Sequence, residues 1–338
     1  MRSRWPWIVV LCVLAALGVV GWTTRAPKRP SFRAFDAQRG RAAIEQFFAD
    51  TRSGALPKVD PDGMPVPWGV PFASEEHRRA WEIHLATVAP RLAALDALHD
   101  DPNVQGVLRI GDGVAVLEHP LRIGEYRCFV NELSASAVLA LDRGDFDAAL
   151  RRAELMLEIA LTFRDRADGQ ELIQAGCADF VAWSLDASMQ HARWDAARAF
   201  GPLALRVRAI LEDQERSLGP GRALDRRVDG VAFALQSDEA TVENAFWIGG
   251  RVEEGIELSI ARGRVLLLAL AADAFRAEHG RWPASTSELS NLLAADELAC
   301  SLVPEPLDLA PDGPNLRVGL IHSKRPPNEA GTTLLLVR

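Results

Sequence analysis

The chain has 338 residues, 48% of them apolar and 25% charged, enough to bury a sizeable core in one large or two modest domains. Its net charge of −8 argues against nucleic acid as a main partner, because phosphate binding needs clustered cations. Lys28, Lys58 and Lys324 are the only lysines; arginine replaces lysine and alanine is abundant, a trait of base composition rather than of function.

At the start, Arg2 and Arg4 precede an uncharged run over residues 5–24, with Trp5, Trp7 and Trp22 at its ends. Interfacial tryptophans around an apolar run predict a membrane helix of just spanning length. The rival is a cleaved signal peptide, but no Ala-x-Ala site follows, and Thr24-Arg25-Ala26 is a poor substitute. Cys12 lies mid-run without a lipoprotein-like boundary. The reading is therefore a single-pass anchor of the inner (cytoplasmic) membrane, occupying residues 1–30 with its flanks. Arg25, Lys28 and Arg29 balance Arg2 and Arg4, and the soluble part is expected on the exported side.

Residues 31–120 follow as N-terminal helices around a proline-rich linker. "RAAIEQFFAD" carries an apolar stripe of Ile44, Phe47 and Phe48. Pro57, Pro61, Pro65, Pro67 and Pro71 then forbid a helix or a central strand over residues 54–73. Helix resumes with "SEEHRRAWEIHLATVAPRLAALDALHDD", where Ser74 can cap and Trp81, Leu85 and Val88 recur at helical spacing. "VQGVLRIGDGVAVLEH" alternates around Gly-Asp-Gly and predicts a small hairpin.

Residues 121–240 read as helical hairpins. Gly144 ends one helix, Asp145 or Asp147 starts the next, and Ala149 permits close approach between them. Gly144, Asp145, Phe146, Ala149 and Leu150 resemble a tetratricopeptide-type unit, in which Gly-Asp-Tyr/Phe-x-x-Ala-Leu opens the second helix. A weaker copy places Trp194 where Phe146 sits and Ala197 where Ala149 sits. The copies lie further apart than the tetratricopeptide period of about 34 residues, so the expectation is stacked hairpins, not a regular solenoid.

Residues 241–338 begin with a helix that Gly249, Gly250, Gly255 and Gly263 make interrupted or closely packed. "VLLLALAADAF" is too short to span a membrane and carries Asp273, so it is a core helix. Next comes "HGRWPASTSELSNLL". Gly280 supplies the left-handed stop, Pro283 prevents resumption, and Ser285 with Glu288 forms a Ser-x-x-Glu capping box before Leu289, Leu292 and Leu293. Trp282 can fold back over the preceding helix. Gly280, Trp282, Pro283 and Leu289 resemble the helix–Gly-x-Tyr-Pro corner of the major pseudopilins, with Trp for Tyr and without their N-terminal methylated segment. The whole most resembles membrane-anchored bacterial proteins with a helical middle and such a corner, a likeness that implies no activity. The tail predicts two strands, residues 316–321 and 332–337, closing as a hairpin.

No GxSxG, P-loop, HExxH or GxGxxG occurs. Cys128, Cys177 and Cys300 are widely spaced and read as small buried hydrophobes. His77 and His84, with Glu76 and Glu82, read as a solvated helix face. Asp96, His99 and Asp100 form a tighter group at a helix end, where a histidine suits the dipole and a metal is the rival reading. "DPDG" at 60–63 begins like a calcium loop but meets Pro71 at its last position, so it is a turn. Glu253, Glu254 and Glu257 read as a charged helix face. No residue is assigned a catalytic, cofactor-binding or metal role. The expectation is a mainly α protein that is a non-enzymatic, membrane-anchored scaffold with a protein partner. The alternatives are a metal-dependent or acid/base hydrolase, and an accessory component of a secretion or envelope assembly.

Overall fold

The computed structural model of the chain describes, with short gaps, residues 43–57, 72, 74–101, 123–161, 184–217, 242–297, 307–319 and 333–336. The apolar run 5–24, Cys12, Cys177, Cys300, the DPDG turn and the Gly-Asp-Gly hairpin lie outside the described residues. So do the side chains of Cys128, Glu253, Glu254 and Glu257, whose helix backbone is described. The described fold is mainly helical with a small antiparallel sheet.

Helix α1 (Glu75–Asp100) starts where Ser74 leaves extended backbone and its hydroxyl accepts the His77 N–H at 3.1 Å. Glu75 and Glu76 fill its first turn, favoured by the helix dipole. Its inward face carries Trp81, Val88, Leu92 and Leu95, two turns or one turn apart. Ahead of it, Phe47 is buried and meets Phe129 edge-on at 6.3 Å.

Helix α2 (Ile123–Arg143) and helix α3 (Phe146–Leu161) form the expected hairpin. Gly144 turns at φ 81°, which lets the Asp145 N–H reach back to the Ala140 carbonyl at 2.9 Å. The Asp145 carboxylate then accepts the Ala148 N–H at 3.0 Å and opens α3. Helix α4 (Ala196–Ser217) opens in the same way: the Asp195 carboxylate accepts the Arg198 N–H at 3.1 Å. The correspondence between the two helix openings therefore differs from the one expected from sequence. Asp195 corresponds to Asp145, and Ala199, fully buried like Ala149, replaces the exposed Ala197 as the close-contact residue. Trp194 stands before the cap rather than after it, and meets Phe146 edge-on at 5.6 Å.

Helix α5 (Val242–His279) is one uninterrupted element, roughly 57 Å long at 1.5 Å per residue. Its glycines do not break it. At Gly263 they allow close packing instead: a Cβ there would stand 2.8 Å from Leu211 Cδ2 of α4. From Arg264 to Phe275 every residue is buried, because this part of α5 is covered by α4 and by the sheet. Helices α2, α3, α4 and α5 pack in chain order, and α1 lies against α2 and α3. Among the described residues no helix is long and apolar enough to cross a membrane.

The tail forms a three-stranded antiparallel sheet of β1 (Asp308–Asp312), β2 (Asn315–Gly319) and β3 (Thr333–Leu336). Leu316 pairs with Leu336 as the hairpin reading requires, and β1 is an additional strand. The sequence hides β1 because "DLAPD" combines proline and aspartate, which strands tolerate only at an edge, where β1 lies. Leu316 and Val318 are fully buried where β2 packs on α5.

Candidate functional site

Charged side chains cross between the helices along the inner side of α1. Arg91, fully buried, binds Glu132 of α2 and donates to the Pro57 carbonyl at 2.6 Å. His84 reaches the other oxygen of Glu132 at 2.8 Å while standing edge-on to Trp81 at 5.5 Å. One turn on, Arg152 of α3 holds Asp96 with both guanidinium arms, the outer at 2.7 Å.

His99 closes the series. Its Nε2 lies 2.9 Å from Glu154 and its Nδ1 3.2 Å from Glu158, neighbours one turn apart on α3. Arg206 of α4 caps the far side, reaching Glu158 at 2.5 Å and Glu154 at 3.0 Å. Burial works against a charged imidazole here, yet the hydrogen bonds and attraction of the two carboxylates outweigh it and raise the His99 pKa to about 9. Burial likewise opposes the Glu158 carboxylate, but His99 and Arg206 hold it below its ordinary range. An imidazolium with both nitrogens donating has no lone pair for a metal. Among the described residues no group of three or more histidine, cysteine or acidic side chains is arranged to hold a metal ion.

The sequence candidates thus separate. Asp96, His99 and Asp100 do not converge; each turns to a different residue of α3, Asp100 facing Arg151 at 3.7 Å. His84 turns inward rather than to solvent, because the helix phase that buries Trp81 also carries it to Glu132. His77 accepts the Trp81 indole N–H at 3.1 Å, while Glu76 stays exposed and Glu82 pairs with Arg78 at 3.6 Å.

No protein-family model, curated protein or solved structure matches the chain.

A surface cleft of about 520 Å³ lies where α4 and α5 meet the segment after the Gly-Arg-Trp-Pro corner. The corner is built as a clasp. Gly280, at φ 71°, donates its N–H to the Arg276 carbonyl at 2.8 Å and ends α5. Trp282 folds back, half-buried, with the Arg276 guanidinium 4.4 Å from its ring centre. The capping box differs in detail. Ser285 makes no side-chain cap, and a single 3₁₀ turn (Thr286–Leu289) replaces the expected helix. Glu288 instead accepts the Ala284 N–H at 2.9 Å and both arms of Arg281 at 2.9 and 3.0 Å. Leu289 and Leu293 are buried beneath.

The cleft wall joins this clasp to the helices. Arg208 of α4 binds Glu297 through two nitrogens and the Leu292 carbonyl at 3.0 Å. Burial opposes the Glu297 charge, and Arg208 with the Ala294 N–H outweighs it and lowers the pKa. Arg264 of α5 binds Glu215 of α4 on the same wall. Asn291 and Leu211 complete a lining that mixes charge, amide and apolar surface. Nothing in the sequence singles out Arg208, whose partner lies far along the chain.

Proposed function

We propose that the chain is a membrane-anchored helical scaffold that binds another protein and has no catalytic role of its own. The observation that carries this reading is the use made of the chain's most chemically capable groups. His99, Glu154, Glu158 and Arg206 all face one another across three helices, as do His84, Glu132 and Arg91 across two. Such groups fix the relative placement of helices, and a hydrolase or metal enzyme would need them directed at a substrate. The paired openings of α3 and α4, Asp145 with Ala149 and Asp195 with Ala199, are consistent with tetratricopeptide-like stacking, an architecture that presents surfaces to peptides and helices. In this reading the apolar run 5–24 is the anchor, bracketed by its tryptophans, and the soluble body lies on the exported side.

The test is purification of the full-length protein from detergent-solubilised membranes, followed by identification of stoichiometric co-purifying proteins and metal analysis. A stoichiometric protein partner and no bound metal support the scaffold. Stoichiometric metal would overturn it.

A further inference from the structure

Helix α1 joins the shared apolar core through Val88, Leu92 and Leu95 and adds a row of charged pairs to it. Between α2 and α5 the buried contacts are dominated by apolar side chains such as Leu133, Ala149, Ala153, Leu203 and Leu267. Helix α1 is tied down by charged pairs along its whole length: Arg78 with Asp142 at 3.0 Å, Arg91 and His84 with Glu132, Asp96 with Arg152, and Asp100 with Arg151. Its last fully buried apolar residue is Leu95; beyond it Leu98 packs half-buried on the core and His99 is the one buried residue of the helix.

We propose that α1 is an alkali-releasable strap, fastened to α3 by a His99 imidazolium held between two carboxylates, whose deprotonation frees the C-terminal turns of α1 while the α2–α5 stack stays folded. The charged groups around His99 decide the direction. Glu154 and Glu158 face it from α3, Arg206 faces both carboxylates from α4, and on α1 itself Asp96 and Asp100 are engaged by Arg152 and Arg151. A neutral imidazole can donate from only one nitrogen, so the other would aim its lone pair at a carboxylate. Arg206 holds the Oε1 atom of each acid whether or not α1 is present, and the Oε2 atoms that His99 leaves would turn to water as the strap departs. Its release would uncover a buried acidic surface on α3.

The folded pKa lies above the ordinary value of 6.5, so the fastening is complete below pH 6.5 and is lost as pH rises to about 9. Hydrogen exchange on the full-length protein in detergent, corrected for base catalysis, reads this directly. Protection of amides 96–101 should fall roughly tenfold per pH unit across that interval, the slope for one proton, while amides 264–275 of α5 keep theirs. His99→Gln should remove the pH dependence, and Glu154→Gln should move the midpoint downward. An equal slope in His99→Gln, a flat wild-type profile, or simultaneous loss of α5 protection would each overturn the proposal. If His99→Gln does not fold, Glu154→Gln decides alone: an unmoved midpoint overturns it.

Discussion

Ala199 holds in α4 the place that Ala149 holds in α3: each is fully buried, and each donates its N–H to the backbone carbonyl of an aspartate, at 3.0 Å to Asp195 and 3.2 Å to Asp145. Ala149→Glu and Ala199→Glu should each lower stability by about 3 kcal/mol, because an unpaired carboxylate would be forced between helices. Ala197→Glu, at an exposed position, should change it by less than about 0.5 kcal/mol. Urea denaturation of the three variants checks the register. A severe Ala197 variant beside a mild Ala199 variant would restore the alignment read from sequence.

At the corner, Gly280→Ala should cost about 1 kcal/mol, since a side chain is unfavourable at φ 71° although the space for a Cβ is open. Trp282→Ala should cost about 2 kcal/mol, less than a fully buried aromatic would, because the ring is half-exposed over Arg276. Trp282→Tyr should be milder than Trp282→Ala. Thermal unfolding followed by circular dichroism measures all three.

Gly263 of α5 packs closely against Leu211 of α4. Gly263→Val should destabilise by about 1–3 kcal/mol through overpacking, and Leu211→Ala in the same chain should relieve part of that loss. Additive losses in the double-mutant cycle would mean that the two helices do not meet at this point.

Arg206→Met leaves Glu154 and Glu158 with His99 alone and should destabilise by about 3 kcal/mol, whereas Arg206→Lys restores charge but not the forked geometry and should recover only part. The pH dependence has a fixed sign. Glu158 is held below its ordinary pKa of 4.5, so its contribution is present above pH 4.5 and is lost as pH falls. The gap between wild type and Arg206→Met should therefore narrow on acidification. A gap that widened below pH 4.5 would contradict the assigned pairing.

Local rules were enough for the elements whose signals lie close together in the chain. Ser74 as a cap, the Gly144 turn, the Gly280 stop and the core character of residues 265–275 all follow from spacing within a few residues. The partners of His99 were not legible. A histidine near Asp96 and Asp100 reads locally as part of an acidic cluster, yet its real neighbours, Glu154 and Glu158, are set by the packing of two distant helices. The shift from Ala197 to Ala199 has the same origin. The aromatic rings pair Trp194 with Phe146 in the sequence, whereas the capping aspartates, which start the helices, match Asp195 with Asp145. Strand β1 escaped because its stability comes from pairing with β2 rather than from its own residues.

The most direct test of the scaffold reading is a photo-crosslinking amino acid placed at Asn291, in the cleft between α4, α5 and the corner, in the full-length protein in its native membrane. One dominant adduct with a single protein is predicted, in the membrane fraction, and it should weaken when Arg208→Ala unfastens the cleft wall. Recovery of the protein in the soluble fraction, or a cleft position that yields no protein adduct while the purified chain turns over a small-molecule substrate, would contradict the account.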